Sequence, residues 1–399
     1  MHNYQKIHQD IFYVGVSNRQ VRFFENVYPI PEGISYNSYL ILDDKNALFD
    51  TVDQTVGPVF LENVQSLLQG KQLDYLIITH MEPDHCAFIQ EILLRYPSLK
   101  IVGNQKTSAM LGQFFDVNLQ DRLVIVGEKD QLDLGKHKLQ FFMAPMVHWP
   151  EVMVVFESTT KTLFSADAFG TFKALNGNIF ADEVDFEHEW LSEARRYYAN
   201  IVGKYGMQVQ SLINKIETLG FTTICPLHGP IWRENIKWYC DKYRLWSSYE
   251  YEEKGVVIAY GSIYGHTENA ANVLANILAQ KGVKNIVLFD VSTTHWSYII
   301  AAIFRYSHFV LASSTYNMGI FVNMETLVHN IVHHNVQKKR IGLIENGSWA
   351  PAADSLMRSE MLKLKNIVLL PRKITIKSAL KNEQIAELEM LANELLDNK

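Results

Sequence analysis

The chain has 399 residues, more than one compact domain of ordinary size holds, so two domains are expected. Hydrophobic residues make up 48% and charged residues 20%, the balance of a soluble globular protein, and a net charge of −6 gives a nucleic-acid partner no electrostatic footing. No apolar run approaches the ~20 residues that span a bilayer, the N-terminus lacks an apolar signal core, and Cys86, Cys225 and Cys240 form no Cys-x-x-Cys pair, so a cytoplasmic protein away from membranes is expected.

The first part reads as short apolar strands separated by Gly, Pro, Asn and Asp, at 36–42, 46–49, 75–78, 100–102, 123–126, 139–143 and 152–156. Few helices intervene: one over 57–68, and a long one over much of 187–219. Many strands with helices outside them indicate a layered sandwich. The tyrosine- and charge-rich segment 247–254 then breaks the pattern, and the boundary is expected there, with a first domain over 1–249 and a second over 255–399. The rhythm changes after it. Apolar strands at 256–260, 286–289, 309–312, 341–344 and 367–370 alternate with helices at 268–280, 296–305, 322–333 and 352–364, and a last helix covers 382–396. Five such units imply a parallel, doubly wound sheet. The expected class is therefore α/β.

Four potential metal ligands fall within six residues in His80-Met81-Glu82-Pro83-Asp84-His85, directly after the apolar run Leu76-Ile77-Ile78. A strand end opening into a loop can aim several side chains at one point, and imidazole with carboxylate suits a transition metal. A merely solvated, charged loop gives no reason for ligands to alternate with non-ligands. His148, Asp167 and His228 follow other apolar runs and precede Gly, Pro or another breaker. Alone, each is more often an ordinary hydrogen-bonded residue or a turn cap; together with the first four they make a set. Cys86, beside His85, reads as a small residue packed behind the site.

The pattern His-x-Glu-x-Asp-His, followed by His, Asp and His after 62, 18 and 60 intervening residues, resembles that of the flavodiiron proteins, and the resemblance covers nearly the whole chain. It implies a metallo-β-lactamase-like αββα sandwich followed by a flavodoxin-like domain. It implies two irons per chain, one held by His80, Glu82 and His148, the other by Asp84, His85 and His228, with Asp167 between them. Zinc hydrolases of the metallo-β-lactamase class usually carry His where Glu82 stands, and the more oxygen-rich set favours iron over zinc. The family reduces O2 to water or NO to N2O. It also implies a head-to-tail homodimer, or a dimer of dimers, in which the flavin of one subunit faces the iron site of the other.

The first strand–helix turn of the second half, Gly261-Ser262-Ile263-Tyr264-Gly265-His266-Thr267-Glu268, places hydroxyls and a glycine at a helix start, where backbone amides and the helix dipole receive a phosphate. It is neither a P-loop nor a Gly-x-Gly-x-x-Gly fingerprint, and it resembles the flavodoxin loop that binds FMN. A hydroxyl-rich turn that only caps its helix is the plain alternative. Two later strand ends add weight, Ser314-Thr315-Tyr316-Asn317-Met318-Gly319 and Asn346-Gly347-Ser348-Trp349, because ligands of doubly wound sheets sit beyond the carboxyl ends of the strands. Tyr316 and Trp349 are the candidates to stack on the flavin. The chain has no dinucleotide fingerprint and no Cys-x-x-Cys pair, and the family resemblance implies a separate rubredoxin with its reductase as electron donor.

The rival readings are a zinc hydrolase fused to a flavodoxin, which would hold zinc and no visible chromophore at the metal, and a non-catalytic redox or gas sensor, which would show flavin redox changes without gas consumption.

Overall fold

The computed structural model describes residues 2–116, 119 and 121–397. The chain folds into two compact units: one holds the chain up to Tyr198 with Met207–Arg244, the other Ala199–Gly206 with the chain from Leu245 onward. The segment 247–254 lies in the second unit, whose first long strand, Glu253–Gly261, opens inside it.

The first unit holds two sheets. One has seven strands in the order Gln5–Lys6, Ile11–Tyr13, Tyr39–Ile41, Ala47–Phe49, Tyr75–Ile77, Lys100–Gly103, Leu123–Ile125. The other has five, Gln131–Asp133, Lys138–Met143, Met153–Glu157, Thr162–Phe164 and Thr223–Cys225. Their inner faces meet through aromatic side chains: Phe49 stacks on Phe164 at 3.9 Å between centroids, and Tyr39 lies 5.5 Å from the same ring. Phe49, Tyr39 and Phe164 are all buried, as facing sheets require.

Most of the expected strands form within a residue or two of their places, and the helix Gly57–Leu68 starts with Pro58 in its first turn and stops at Gln69 in the left-handed region. Helices at Ile89–Arg95, Gln105–Phe114 and Ile236–Ser247 were not expected. Gln105–Phe114 buries only Thr107 and Leu111, too thin a stripe to show in the sequence, and is set by its cap Asn104, which accepts from the amides of Lys106 and Thr107. Ile236–Ser247 buries Tyr239, Tyr243 and Trp246, a helical spacing carried entirely by aromatics. The single long helix expected over 187–219 is instead a broken run: Phe186–Glu189, Leu191–Tyr197, a wide turn Tyr198–Val202, a tight turn Gly203–Tyr205, then Gly206–Ile216. Gly206 opens the last of these helices, and a Cβ there would stand 2.4 Å from the Ser247 carbonyl oxygen, so backbone meets backbone and only glycine fits.

The second unit is a parallel sheet in the order Ile286–Asp290, Glu253–Gly261, Tyr306–Tyr316, Arg340–Asn346, Val368–Leu369, with Ile374–Ile376 also paired to Arg340–Asn346. This 2-1-3-4-5 order is the flavodoxin-like one. Val256, Val257, Ile258 and Ala259 are all fully buried, as in a strand covered on both faces. The helices His266–Gln280, Trp296–Arg305, Val322–His333, Ala353–Met361 and Asn382–Leu396 stand where the periodicity put them.

Candidate metal centre and flavin cleft

Strand register brings the metal candidates together. Thr162–Phe164 runs parallel to Thr223–Cys225 with Phe164 opposite Cys225, so Asp167 and His228, each three residues further on, emerge side by side. The ladder continues past the strand ends through Ser165 N to Cys225 O and Leu227 N to Ala166 O. His80 follows Tyr75–Ile77 of the other sheet, and the one-turn helix Pro83–Cys86, with Glu82 at its start, carries Asp84 and His85. The loop with His148 is tied to this corner where the Met153 amide donates to the Thr79 carbonyl.

The seven side chains form two groups in which the candidate ligand atoms lie within 4.8 Å of one another: His80, Glu82, His148 and Asp167, and Asp84, His85 and His228. In the first, Glu82 Oε2 is 3.2 Å from His80 Nε2 and 3.1 Å from His148 Nε2, and Asp167 Oδ2 is 3.0 Å from His148 Nε2. In the second, Asp84 Oδ2 is 3.5 Å from His85 Nε2 and 3.3 Å from His228 Nε2. The other oxygen of Asp167, Oδ1, turns to this group, 3.3 Å from His85 Nε2. Asp167 therefore stands between the groups with one oxygen toward each.

The arrangement fits metal ions. Metal–donor bonds of about 2.1 Å at right angles set neighbouring donors about 3 Å apart, the spacing found here. His85 Nε2 and His228 Nε2 lie 3.1 Å apart, which two lone pairs do not tolerate without a proton or cation between them. Both Asp84 oxygens and Asp167 Oδ1 are buried without a hydrogen-bond partner among the described residues. Outer groups fix which ring nitrogen faces inward: His80 Nδ1 is 2.8 Å from Glu151 Oε1, and His228 Nδ1 donates to the Ser35 carbonyl at 2.7 Å.

Without a cation these groups hold protons. Burial works against a charged His80, but Asp167, Glu151 and Glu82 outweigh it and raise its pKa well above the usual imidazole value. By the same opposition His148 is raised to about 9, chiefly by Asp167 and Glu82, and His85 to about 8, chiefly by Asp84 and Asp167. Burial would raise Asp167, yet the surrounding imidazoles hold it well below the carboxylate range. A metal must displace these protons to bind.

The sequence reading missed several neighbours. Glu151 follows His148 by three residues, a spacing that could have drawn notice. Asp50, at the end of Ala47–Phe49, accepts from the Thr79 amide at 2.8 Å and braces the loop, and burial raises its pKa to about 6. Glu25 leaves no signal in sequence. It sits at a hairpin tip as an exposed residue, while its carboxyl, hydrogen-bonded to Glu82, is raised to about 8 by burial and by the Glu82 charge. The Tyr197 ring lies 5.6 Å from that of His228, and its buried hydroxyl has no partner among the described residues. Trp149 packs edge-on to His80 at 5.3 Å. Cys86 is buried, donates to the Met81 carbonyl at 3.2 Å and has its pKa raised by burial, which makes it inert packing.

In the second unit a cleft of about 380 Å³ opens at the carboxyl ends of the strands. Ser262, Ile263, Tyr264, His266, Thr267, Ser314, Thr315, Asn317, Met318, Asn346, Gly347, Ser348 and Trp349 line it, as does Ser378, which the sequence reading did not include. Gly265, Tyr316 and Gly319 do not line it: Gly265 caps the helix His266–Gln280 at φ +86°, and Tyr316 and Gly319 close the hairpin whose tip is Asn317-Met318. Ser262 Oγ accepts from the Gly265 amide at 3.0 Å, and Thr267 Oγ1 meets Ser314 Oγ at 2.8 Å, joining two of the loops. The first amides of this helix have no intrahelical acceptor, as an anion site requires. Tyr264 and Trp349 are 90% and 79% exposed at the cleft, large flat surfaces that a planar ring would cover.

Comparison with known proteins agrees with this geometry. A family model described as "ODP family beta lactamase" matches residues 34–229, a span that contains all seven metal candidates. The anaerobic nitric oxide reductase flavorubredoxin of Escherichia coli is 30% identical over 355 residues, covering 87% of this chain and 73% of that protein. The chain belongs to the flavodiiron proteins. An uncharacterized protein of Methanocaldococcus jannaschii is 33% identical over 319 residues, 79% of this chain and 78% of its own length. Among solved structures, the rubredoxin oxygen:oxidoreductase of Desulfovibrio gigas superposes with a TM-score of 0.92 at 27% identity, covering 98% of this chain and 97% of that one. Family membership makes this flavodiiron protein an oxidoreductase of the di-iron and flavin type.

Proposed function

We propose that this flavodiiron protein reduces O2 to water, NO to N2O, or both, protecting its cell against these gases, with rubredoxin as electron donor. The observation that carries the reading is Asp167, one oxygen turned to each of two pockets that each offer two imidazoles and a carboxylate. One pocket alone would serve a single hydrolytic metal; two that share a carboxylate serve a pair. Glu82, in place of a second histidine, favours iron in that pair, which speaks against the zinc hydrolase.

In this reading His80, Glu82 and His148 hold one iron, Asp84, His85 and His228 the other, and Asp167 bridges them. The cleft lined by Ser262, Thr267, Ser314, Asn346 and Trp349 holds FMN, its phosphate at the start of the helix His266–Gln280. Bound there, the iron pair would supply redox chemistry toward a diatomic gas and the flavin would supply electrons. The chain's own groups do the rest. Glu151 and the Ser35 carbonyl orient His80 and His228, and Trp149 and Tyr197 wall the pocket.

The name of the Desulfovibrio gigas protein includes both rubredoxin and oxygen, and that of the Escherichia coli protein nitric oxide. A head-to-tail homodimer that sets the flavin of one subunit against the irons of the other is part of the proposal, as is a cytoplasmic location; no helix among the described residues is long and apolar enough to cross a membrane. The test is anaerobic NO consumption and, separately, O2 consumption, with reduced rubredoxin as donor and with iron and FMN quantified. Rapid turnover with two irons and one FMN per chain is expected, and the ratio of rates names the preferred gas. Full cofactors without turnover on either gas would overturn the enzyme reading in favour of a sensor.

A further inference from the structure

The two iron pockets have equal inner donors, two imidazoles and one carboxylate each, with Asp167 common to both. One difference between them lies in what stands behind the rings, and here they are unequal. Behind His80 is a carboxylate: Glu151 Oε1 is 2.8 Å from His80 Nδ1, and both side chains are fully buried. Behind His228 is the neutral carbonyl of Ser35, 2.7 Å from Nδ1. Behind His85 there is nothing, since its Nδ1 has no partner among the described residues.

Glu151 is held firmly in this role. The same Oε1 accepts from the Met81 amide at 2.8 Å, and the Glu151 backbone carbonyl accepts from Asn104 Nδ2 at 2.5 Å. Its second oxygen, Oε2, is buried and meets no donor among the described residues, so the His80 ring and the Met81 amide both fall on Oε1. The other fully buried carboxylate nearby, Asp50, accepts from Thr79 and from the His80 amide, not from a ligand ring. An anion hydrogen-bonded to the outer nitrogen of a ligand imidazole makes that ring a stronger donor, and in a water-poor interior its charge favours the more positive oxidation state of the metal.

We propose that Glu151 makes the iron held by His80, Glu82 and His148 the harder of the two to reduce, so that the first electron enters at the iron held by Asp84, His85 and His228. Each step adds one electron, supplied by the reducing donor of the enzyme, to one ferric ion and leaves it ferrous. Glu151 is thus a positioning residue: it acts through His80, and the inference rests on the ligand assignment proposed above. The half-reduced pair is an ordered intermediate stage with a defined ferric side.

The test is an anaerobic reductive titration of the full-length holoprotein, in which electron paramagnetic resonance follows the half-reduced pair and iron and FMN are counted in the same samples. Glu151→Gln keeps an acceptor for His80 and removes the charge. With two irons and FMN retained, the range of potential over which the half-reduced pair persists is expected to narrow, by about tenfold in its formation constant or ~59 mV for a one-electron couple, while the flavin potentials stay in place. An unchanged range in a two-iron variant overturns the role of Glu151, as does a shift of both iron steps together. Should the Gln chain not hold its iron, Glu151→Asp decides: its carboxylate sits one methylene further from the ring, a range narrower than wild type is expected, and an unchanged one overturns the proposal. A wild-type chain that fails to take two irons instead overturns the ligand assignment itself.

Discussion

Asp167 Oδ2 lies 3.0 Å from His148 Nε2, while its other oxygen points away to His85 on the far side of the same carboxylate. No other side chain among the described residues reaches both groups so closely, and Asp167 is fully buried. Asp167→Ala is therefore expected to lower iron content by at least half and abolish gas reduction. FMN content should be unchanged, because the cleft belongs to the other compact unit. Iron and FMN analysis of one preparation decides it; two irons and full activity in the variant would mean that the ligands are wrongly assigned.

The flavin cleft makes the complementary case. Ser262 Oγ shapes the turn by accepting from Gly265, and Thr267 Oγ1 links the helix start to Ser314 and Asn346. Replacing both hydroxyls by the double change Ser262→Ala, Thr267→Ala removes two hydrogen bonds, each worth about 1.5–3 kcal/mol when it goes to a charged group, so FMN affinity is expected to fall by about 100-fold or more with iron intact. Equilibrium dialysis of FMN against both proteins measures it, and equal affinity would exclude this turn as the phosphate site.

Gly229 sets the backbone just past His228. Its φ is +77°, its amide donates to Ser35 Oγ at 2.7 Å, and a Cβ there would stand 2.1 Å from Thr171 Cγ2. Gly229→Ala combines left-handed strain with a clash and is expected to cost about 2 kcal/mol or more. The expected signs are a lower urea midpoint for the first unit and less bound iron. A variant with wild-type midpoint and iron would show that the loop has room to relax.

At another place in the first unit, His137 is buried with Nδ1 3.2 Å from Glu157 Oε1. Burial disfavours the charged form of each, but the pairing prevails: His137 is raised above its usual value by Glu157, and Glu157 is lowered to about 2 by His137 and Thr160. A raised histidine contributes stability that is fully present below its unfolded pKa, about 6.5, and is lost as the pH climbs through the folded value. A lowered carboxylate contributes above its unfolded pKa, about 4.3, and loses it as the pH falls toward about 2. The first unit should therefore be most stable between about pH 4.5 and 6.5 as far as this pair is concerned. Glu157→Gln should flatten that profile and cost about 2 kcal/mol at pH 6, as expected when a buried partner is left unpaired. Urea midpoints of both proteins at pH 3, 6 and 9 test this, and parallel profiles would rule the pair out as the source.

The sequence by itself determined the parts whose physics is local. The alternation of ligands in His80-Met81-Glu82-Pro83-Asp84-His85 marked a metal site, and the helices Gly57–Leu68, Trp296–Arg305, Val322–His333 and Asn382–Leu396 were legible from end to end because apolar periodicity and breakers lie within each segment. The hydroxyl-rich turn before His266–Gln280 was equally plain. Tertiary structure decided what depends on distant residues meeting. Position 206 must be glycine because Ser247, far along the chain, leaves no room for a side chain. Glu151 and the Ser35 carbonyl stand behind two ligand rings, and the Glu25 carboxyl reaches Glu82, only once both sheets are assembled. Asp167 comes level with His228 because Phe164 pairs with Cys225 across a parallel ladder, and strand register is a property of the packed sheet that neither segment carries alone.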